Sequence, residues 1–242
     1  MGNIQINIAG ISAQITIVYP KTQKYFKKYT AEENVIGRQL DFTTKALSEE
    51  AIAQEASRLS SDLSFAEFSL LLEQVANPVL RHDRFFFHGA AFIWHDRAFL
   101  FTGKSGTGKS TQLKHWLSLF PEETEVINGD KPVIEQRGKS FIVHPSPWTG
   151  KEGLNGSHSA ELGGIILLEQ GDQDEFFPLE KKKAVFPLFL QFLYKAEDRE
   201  SVELVCGYES ALLNNAPVFK LINTGTKESA LLTRDRLIRE GF

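Results

Sequence analysis

The chain opens with two runs in which hydrophobic and polar residues alternate. Residues 4–8 read IQINI and residues 13–17 read AQITI, and this period of two predicts strands with one buried face. A helix predicted over residues 65–80 has a predicted N-cap at Ser64, with Glu67 completing a capping box. The predicted helices cover 21–29, 49–59 and 65–80. Residues 1–80 are therefore predicted to form a small α+β lobe, either separate from the rest or integral to it.

Beyond residue 81 the pattern changes to short apolar runs broken by helical segments. Strands are predicted over 85–87, 90–94, 98–101, 126–127, 133–135, 141–144, 164–168 and 218–222. Helices are predicted over 109–119, 181–194, 201–213 and 227–238. This order, with a loop and a helix directly after a strand, is typical of α/β proteins. We therefore expect residues 81–242 to form an α/β core.

Composition and charge exclude several classes of protein. Hydrophobic residues make up 42% of the 242 residues and charged residues 24%, which is the balance of an ordinary globular protein. A net charge of −4 gives no basic footprint for nucleic acid. No apolar stretch reaches membrane-spanning length, and a lone cysteine, Cys206, cannot form an internal disulfide. We expect a cytoplasmic protein with neither nucleic acid nor membrane as its main partner, and read Cys206 as a core residue.

A phosphate-binding loop is the most specific motif in the chain. The pattern G-x-x-x-x-G-K-[ST] is complete, and it lies directly between an apolar strand and a helix, as the motif requires. Its glycines allow backbone amides to surround phosphates, and the helix start favours an anion. Lys109 supplies charge for the terminal phosphates and Ser110 the hydroxyl for Mg²⁺. The predicted nucleotide-binding residues are Gly103, Lys104, Ser105, Gly106, Thr107, Gly108, Lys109, Ser110 and Thr111.

A magnesium ion in such a site needs a carboxylate from a neighbouring strand. Asp130 is the candidate, because it follows the short strand and glycine of Glu125-Val126-Ile127-Asn128-Gly129. It is predicted to bind the metal, to act as a general base, or to do both. The alternative is an ordinary turn aspartate after a glycine.

Several of these residues resemble the HPr kinase/phosphorylase carboxy-terminal domain and the ATP-dependent phosphoenolpyruvate carboxykinases. The resemblance covers roughly residues 84–168. It is carried by the loop, by Phe87-His88-Gly89 two strands before it, by Ile127-Asn128-Gly129-Asp130 and by Ser146-Pro147-Trp148-Thr149-Gly150-Lys151. It implies a mixed β-sheet core of that type with flanking helices, Mg²⁺-ATP as ligand, and phosphoryl transfer.

The same resemblance implies roles for four catalytic residues, Lys109, Asp130, His88 and Lys151, and for the metal-binding residue Ser110. Lys109 and Ser110 would contact phosphate and metal, and Asp130 the metal or the accepting hydroxyl. His88 would lie near the transferred phosphate, and Lys151 would act as a cationic clamp. Three features depart from the families. Asp130 is followed by Lys131, where they usually carry a second acid. One carboxylate would then serve both as metal ligand and as base. The second glycine-arginine motif of HPr kinase and the ligands with which a carboxykinase holds its organic acid and second metal are not recognisable.

Three questions stay open at the level of sequence. His88 is either a site residue or a strand histidine bonded to a backbone carbonyl, and residues 145–156 form either a closing loop or a plain surface loop. The expected function is an ATP-dependent kinase acting on a hydroxyl of a small molecule, peptide or protein. The alternatives are a nucleotide-binding regulatory or chaperone-like module and a simple NTPase. An oligomer is compatible with the sequence.

Overall fold

The computed structural model describes residues 1–30 and 39–242, which form two β-sheets with helices packed around them. The strands are β1 Gly2–Ile8, β2 Ile11–Ile17, β3 Phe42–Thr43, β4 Arg84–Phe87, β5 Gly89–Trp94, β6 Arg97–Thr102, β7 Thr124–Asn128, β8 Val133–Arg137, β9 Ser140–His144, β10 Ala160–Gln170, β11 Glu175–Pro178, β12 Phe192–Leu193 and β13 Val218–Asn223. The helices are α1 Gln23–Phe26, α2 Glu49–Leu59, α3 Leu63–Leu80, α4 Lys109–Leu119, α5 Lys181–Phe189, α6 Arg199–Asn215 and α7 Lys227–Arg239. Short 3-10 turns, Pro20–Thr22 and Lys27–Tyr29, flank α1.

The larger sheet has ten strands and is mixed. Its main path is β12-β4-β8-β9-β10-β6-β5-β7, and β13 pairs in parallel with β10 and antiparallel with β11. Consecutive residues of β6 point to opposite faces, as in any strand: Leu100 packs in the cluster with α5 and α6, whereas Phe99 and Phe101 pack with α4 and α7. The sheet is thus covered by helices on both faces, which confirms the predicted α/β class with a mixed sheet and flanking helices.

The amino-terminal sheet is small, and it packs against α3. β1 and β2 form an antiparallel hairpin, and β3 pairs in parallel with β2. The alternating isoleucines of the hairpin are buried together with the apolar face of α3, as their period predicted. This cluster continues into Phe86, Val133 and Trp148 of the larger unit. The boundary at residue 80 stays a prediction, because the hydrophobic contacts run across it.

The carboxylate of Glu67 has a different role from the predicted one. α3 begins at Leu63, and its N-cap is Asp62, whose side chain accepts from the backbone N–H of Phe65. The prediction of Ser64 as N-cap was therefore wrong. Glu67 is fully buried and accepts from the backbone N–H of Val18 at 2.5 Å and the hydroxyl of Thr22 at 2.6 Å. It joins the segment after β2 to α3.

Two further predictions were wrong, one because of a long-range contact and the other because of helix geometry. The helix predicted to reach residue 194 ends at Phe189, and the next residues form β12, which pairs antiparallel with β4. Cys206, predicted to be in the core, is exposed, while its neighbour Val205 is fully buried. Adjacent helix positions differ by about 100° in direction, so an apolar run on a helix does not bury every member.

Helix length and hydropathy bear on membrane insertion. The longest helix, α3, has 18 residues and carries Glu67 and Glu73. Within residues 1–30 and 39–242, no helix combines the length and the apolar character that crossing a bilayer requires.

Trp148 is the central side chain of the junction between the two sheets. It is 3% exposed, stacks on Phe68 at 5.3 Å between ring centroids, and meets Phe26 and Phe86 edge-on. Its indole N–H donates to the carbonyl of Phe68 at 2.9 Å. The buried polar atom of this side chain is therefore paired as well as packed.

We expect Trp148→Ala to lower the free energy of unfolding by about 3–5 kcal/mol, because it leaves a large cavity and removes the hydrogen bond from the indole to α3. Phe186→Ala is a matched control, since Phe186 is 70% exposed, and it should change stability by less than about 0.5 kcal/mol. Urea denaturation of both variants measures the difference. Equal effects of the two substitutions would contradict the central role of Trp148.

A buried ion cluster holds the tip of the β1–β2 hairpin against β8 and β9. Glu135 accepts from Arg84 at 2.7 Å, Arg137 at 2.8 Å and the Nε2 of His144 at 2.9 Å. Arg84 also donates to the carbonyl of Ala9 at 2.7 Å. Burial is the main cause that lowers the pKa of His144, so this ring is neutral at pH 7. The Nδ1 of His144 lies 2.8 Å from the hydroxyl of Ser159, which fits an Nε2–H tautomer.

His144 makes stability depend on pH. A histidine whose folded pKa is below its unfolded value of about 6.5 takes up a proton more readily when unfolded, so stability is lost as pH falls below that value. We expect the unfolding free energy to fall between pH 7 and pH 5.5, and His144→Gln to make this slope shallower. Denaturation curves across that range test it, and an unchanged slope in the variant would refute the assignment.

Candidate active site

The order of three strands brings the predicted site residues to one edge of the large sheet. β5 lies between β6 and β7 and is antiparallel to both. Gly89, the first residue of β5, pairs with Thr102, the last of β6, and Ala91 pairs with Asn128, the last of β7. The residue before β5 therefore lies at the same edge as the loops that follow β6 and β7. Those positions are His88, the phosphate-binding loop and Asp130.

The phosphate-binding loop has the backbone that its glycines predict. Gly103, Gly106 and Gly108 have φ values of +136°, +84° and +98°, a region that L side chains rarely adopt. A Cβ on Gly103 would lie 2.8 Å from the carbonyl oxygen of Leu168 in β10. The loop is thus wedged against the neighbouring strand, and only glycine fits at its first position.

The start of α4 is left without a side-chain cap. Gly108 is its N-cap residue and contributes no side-chain hydrogen bond, so the first amides of the helix have no intrahelical or capping acceptor. Lys109 is 9% exposed, and its ammonium donates to the carbonyls of Gly103 at 2.9 Å and Lys104 at 3.0 Å. Ser110 is half-buried and Thr111 is exposed on the first turn. Uncapped amides beside a buried ammonium form a cradle for an anion.

Two amide side chains at strand ends hold the loop from the other side. Asn223, which is 1% exposed at the end of β13, donates to the carbonyls of Thr107 at 3.2 Å and Glu169 at 2.9 Å. Gln170, at the end of β10, donates to the carbonyl of Gly106 at 3.0 Å. β10 pairs in parallel with β6, and β13 pairs in parallel with β10. The carboxyl ends of both strands therefore lie beside the loop that follows β6.

Asp130 is held by the buried side chain of Asn128. The Oδ1 of Asn128 accepts from the backbone N–H of Asp130 at 2.9 Å and of Lys131 at 2.7 Å. Its Nδ2 donates to the carbonyl of Ser146 at 3.0 Å. The carbonyl of Asp130 accepts from Gly89 at 2.8 Å. Backbone on both sides of the carboxylate is therefore fixed, and the side chain is 20% exposed at the sheet edge.

The segment 145–156 is docked beside Asp130. Trp148 anchors it in the hydrophobic junction, and the carbonyl of Leu154 accepts from Gly129 at 2.9 Å. A Cβ on Gly150, whose φ is +70°, would lie 2.9 Å from the Cβ of Asp130. The next side chain, Lys151, is exposed and has no hydrogen bond or ion pair within the described part of the chain. The segment is anchored at both ends of the turn that carries Lys151.

His88 contacts Asp130 with one ring nitrogen and Gln191 with the other. Its Nε2 lies 3.5 Å from Asp130 Oδ1, and its Nδ1 lies 3.2 Å from Gln191 Oε1. Gln191 donates its Nε2 to the carbonyl of Pro187 at 2.9 Å, so its oxygen is the atom that faces the ring. The Nδ1 of His88 must then carry the hydrogen of the neutral ring, which leaves Nε2 able to accept a proton.

The electrostatics of the site favour a neutral His88. Burial, followed by the charge of Lys109, lowers the pKa of His88, and Asp130 opposes them only in part. Burial also lowers the pKa of Lys109, against the pull of Asp130. Lys131 forms an ion pair with Asp130 and contributes to both shifts. The site thus holds one carboxylate, two lysines and a neutral imidazole.

The residues present fit a magnesium ion bound together with phosphates. In the described residues, no group of three His, Cys, Asp or Glu side chains forms a metal site of its own. Mg²⁺ is usually held by one or two protein oxygens plus substrate phosphates. The hydroxyl of Ser110 and the carboxylate of Asp130 are the two groups that would hold it beside the cradle.

The structure brings most of the predicted site residues together. Lys109, Asp130 and His88 share one cluster beside the loop, whereas Lys151 makes no hydrogen bond or ion pair with them. Reasoning from the sequence missed the residues that position this cluster, which are Asn128, Gln170, Gln191 and Asn223. Three of these four lie at strand ends, and an amide at the end of a buried strand was a signal available in the sequence.

Comparisons with known proteins find matches among solved structures only. Neither a protein-family model nor a curated protein sequence matches this chain. Among solved structures, the HPr(Ser) kinase/phosphatase from Coxiella burnetii is similar, with 16% sequence identity and a TM-score of 0.36. The match covers 64% of this chain and 99% of that one. That protein bears the name of one of the families whose motifs this sequence resembles.

We expect Gly103→Ala to distort the loop at a cost of about 1–3 kcal/mol, because the added Cβ meets the backbone and the φ is unsuitable. Gly207→Ala is the control, since Gly207 lies in α6 with open space around it, and it should stabilise by about 0.5–1 kcal/mol. Calorimetric titration with Mg²⁺-ATP and thermal unfolding measure both effects. Unimpaired binding by Gly103→Ala would show that the loop is not the nucleotide site.

Proposed function

We propose that this protein is an ATP- and Mg²⁺-dependent kinase that transfers a phosphoryl group to a hydroxyl of an acceptor. The observation that supports it best is the convergence of the loop, Lys109, Asp130 and His88 at one sheet edge. A helix N-terminus and a buried lysine bind phosphates, and a carboxylate and a neutral imidazole on the other side are groups that handle a hydroxyl proton. The acceptor is a small molecule, a peptide or a protein, and the reaction belongs in the cytoplasm.

The residues would share the work as follows. Loop amides and Lys109 bind the phosphates, and Ser110 and Asp130 hold Mg²⁺, which neutralises charge on the terminal phosphate when bound. A bond forms between the acceptor oxygen and the terminal phosphorus, and the bond from that phosphorus to the bridging oxygen of ADP breaks. The proton of the acceptor hydroxyl passes to Asp130 or to the Nε2 of His88. Lys151 would act as a cationic clamp, as the sequence resemblance implies. Its neighbour Gly150 lies directly against Asp130, which supports this role.

A second candidate function is a nucleotide-binding regulatory module without phosphoryl transfer. The ion pair between Lys131 and Asp130 favours it, because a carboxylate held by a lysine is less available to a metal or a proton. A simple NTPase is the third arrangement, in which water takes the place of the acceptor. The three differ in the fate of the terminal phosphate.

Incubation of the purified protein with ATP labelled in the γ-phosphate, with and without low-molecular-weight and protein fractions of an extract, separates these functions. A kinase transfers the label to an acceptor, an NTPase releases it as phosphate in buffer alone, and a binding module leaves ATP intact. Intact ATP in every fraction, together with tight binding in calorimetry, would overturn the kinase proposal.

Two substitutions test the assigned roles. We expect Lys109→Met to weaken Mg²⁺-ATP binding by about tenfold or more, since it removes a buried charge-assisted contact. Asp130→Asn should bind ADP normally and lose about 10²–10³-fold in transfer rate. Lys139→Met is the control, because Lys139 is exposed in the β8–β9 turn. Full activity of Asp130→Asn would exclude its role as metal ligand or base.

A further inference from the structure

Lys131 stands next to the carboxylate of the candidate active site, and its backbone is fixed. Its ammonium pairs with Asp130 Oδ2. Its N–H donates to Asn128 at 2.7 Å, and its carbonyl accepts from the hydroxyl of Ser146 at 2.5 Å. The side chain is 27% exposed. Its backbone is therefore anchored, and its partly exposed side chain ends at the carboxylate of Asp130.

The charge balance at this edge calls for an anion. Lys109 and Lys131 carry two positive charges, whereas Asp130 carries one negative charge. The charge of Lys131 is felt at Lys109 and at His88, where it lowers both pKa values. Lys131 thus lies within electrostatic reach of the two groups that face a bound phosphate chain.

The position of Lys131 differs from that of Lys109. Lys109 lies at the loop after β6, on the side where the helix begins. Lys131 follows β7, with β5 between the two strands. A phosphate chain that starts in the loop and extends towards Asp130 meets Lys131 last. The ammonium beside Asp130 is therefore the lysine farther along the chain of phosphates from the loop.

We propose that Lys131 is a second phosphate-binding cation, which contacts the terminal phosphate and makes the site prefer a nucleoside triphosphate over a diphosphate. This inference rests on the proposed nucleotide-binding function. When Lys131 moves from Asp130 to the phosphate, Oδ2 of Asp130 becomes available to Mg²⁺ or to a hydroxyl. The ion pair is then a contact of the nucleotide-free protein, and nucleotide binding breaks it. Lys131 therefore stands where the resembled families carry a second acid, yet it leaves Asp130 available once the nucleotide is bound.

Calorimetric titration of Lys131→Met with Mg²⁺-ATP and with Mg²⁺-ADP tests the proposal. We expect affinity for ATP to fall about tenfold or more, the loss of one charged contact, while affinity for ADP changes less than about twofold. Lys131→Arg should retain most of the preference for ATP. Lys139→Met, a distant exposed lysine, should leave both affinities unchanged.

The outcomes separate this inference from the function on which it rests. Wild-type protein that binds neither nucleotide would contradict the proposed function itself. Wild-type protein that binds ATP, with a variant whose ATP-to-ADP preference is unchanged, would overturn the role of Lys131 alone. Equal weakening of both nucleotides would also overturn it, because a purely structural ion pair gives that result.

A measurement on unmodified protein covers the case in which Lys131→Met does not fold. The rate at which acetic anhydride modifies Lys131 is followed by mass spectrometry with no nucleotide, with ADP and with a non-hydrolysable ATP analogue. We expect the analogue to protect Lys131 more than ADP does, and neither to protect Lys139. Equal modification rates of Lys131 with ADP and with the analogue would refute the contact.

Discussion

The antiparallel insertion of β5 between β6 and β7 is the constraint on which the candidate site depends. The carboxyl ends of parallel strands lie at one edge of a sheet, whereas a residue that precedes a parallel strand lies at the opposite edge. Because β5 runs against its neighbours, His88 at its start reaches the loop after β6 and the turn after β7. A parallel strand in this position would carry His88 to the far side of the sheet.

Hydrogen bonds from buried amide side chains fix the positions of the residues that this arrangement brings together. Asn128 ties down the turn of Asp130, Gln191 orients the ring of His88, and Asn223 holds the loop. Each amide uses both its donor and its acceptor or spans two partners, so none is left unsatisfied at the junctions it closes. The backbone beneath the charged groups is therefore held by hydrogen bonds.

Local features of the chain could be read from the sequence. The loop and α4 follow the prediction residue for residue, because glycine conformation and helix initiation are local. The hairpin of β1 and β2 follows from alternation alone. Asp130 and His88 were found through a motif, and both lie beside the loop. The loop, α4 and the hairpin depend on interactions between residues that are close in the sequence, which a single sequence carries in full.

The rest depended on contacts between distant residues. Gln191 meets His88 only because α5 ends early and β12 pairs with β4, and the apolar run across that junction gave no sign of it. Glu67 looked like a helix cap but lies buried beneath the segment after β2. In the sequence, Lys131 stands where the resembled families carry a second acid. Its ion pair with Asp130 depends on the turn that Asn128 holds together.

The junction around Trp148 has a consequence for how this protein can be divided. One aromatic side chain closes the hydrophobic core of the amino-terminal sheet, and the segment it anchors borders Asp130. An excised 81–242 fragment would present Phe86, Val133 and Trp148 to water. The fragment would gain an exposed apolar surface, and the segment beside Asp130 would lose the packing partners of its anchor. The loop therefore cannot be transferred to another protein by itself, and a chimaera that contains it must contain α3 as well.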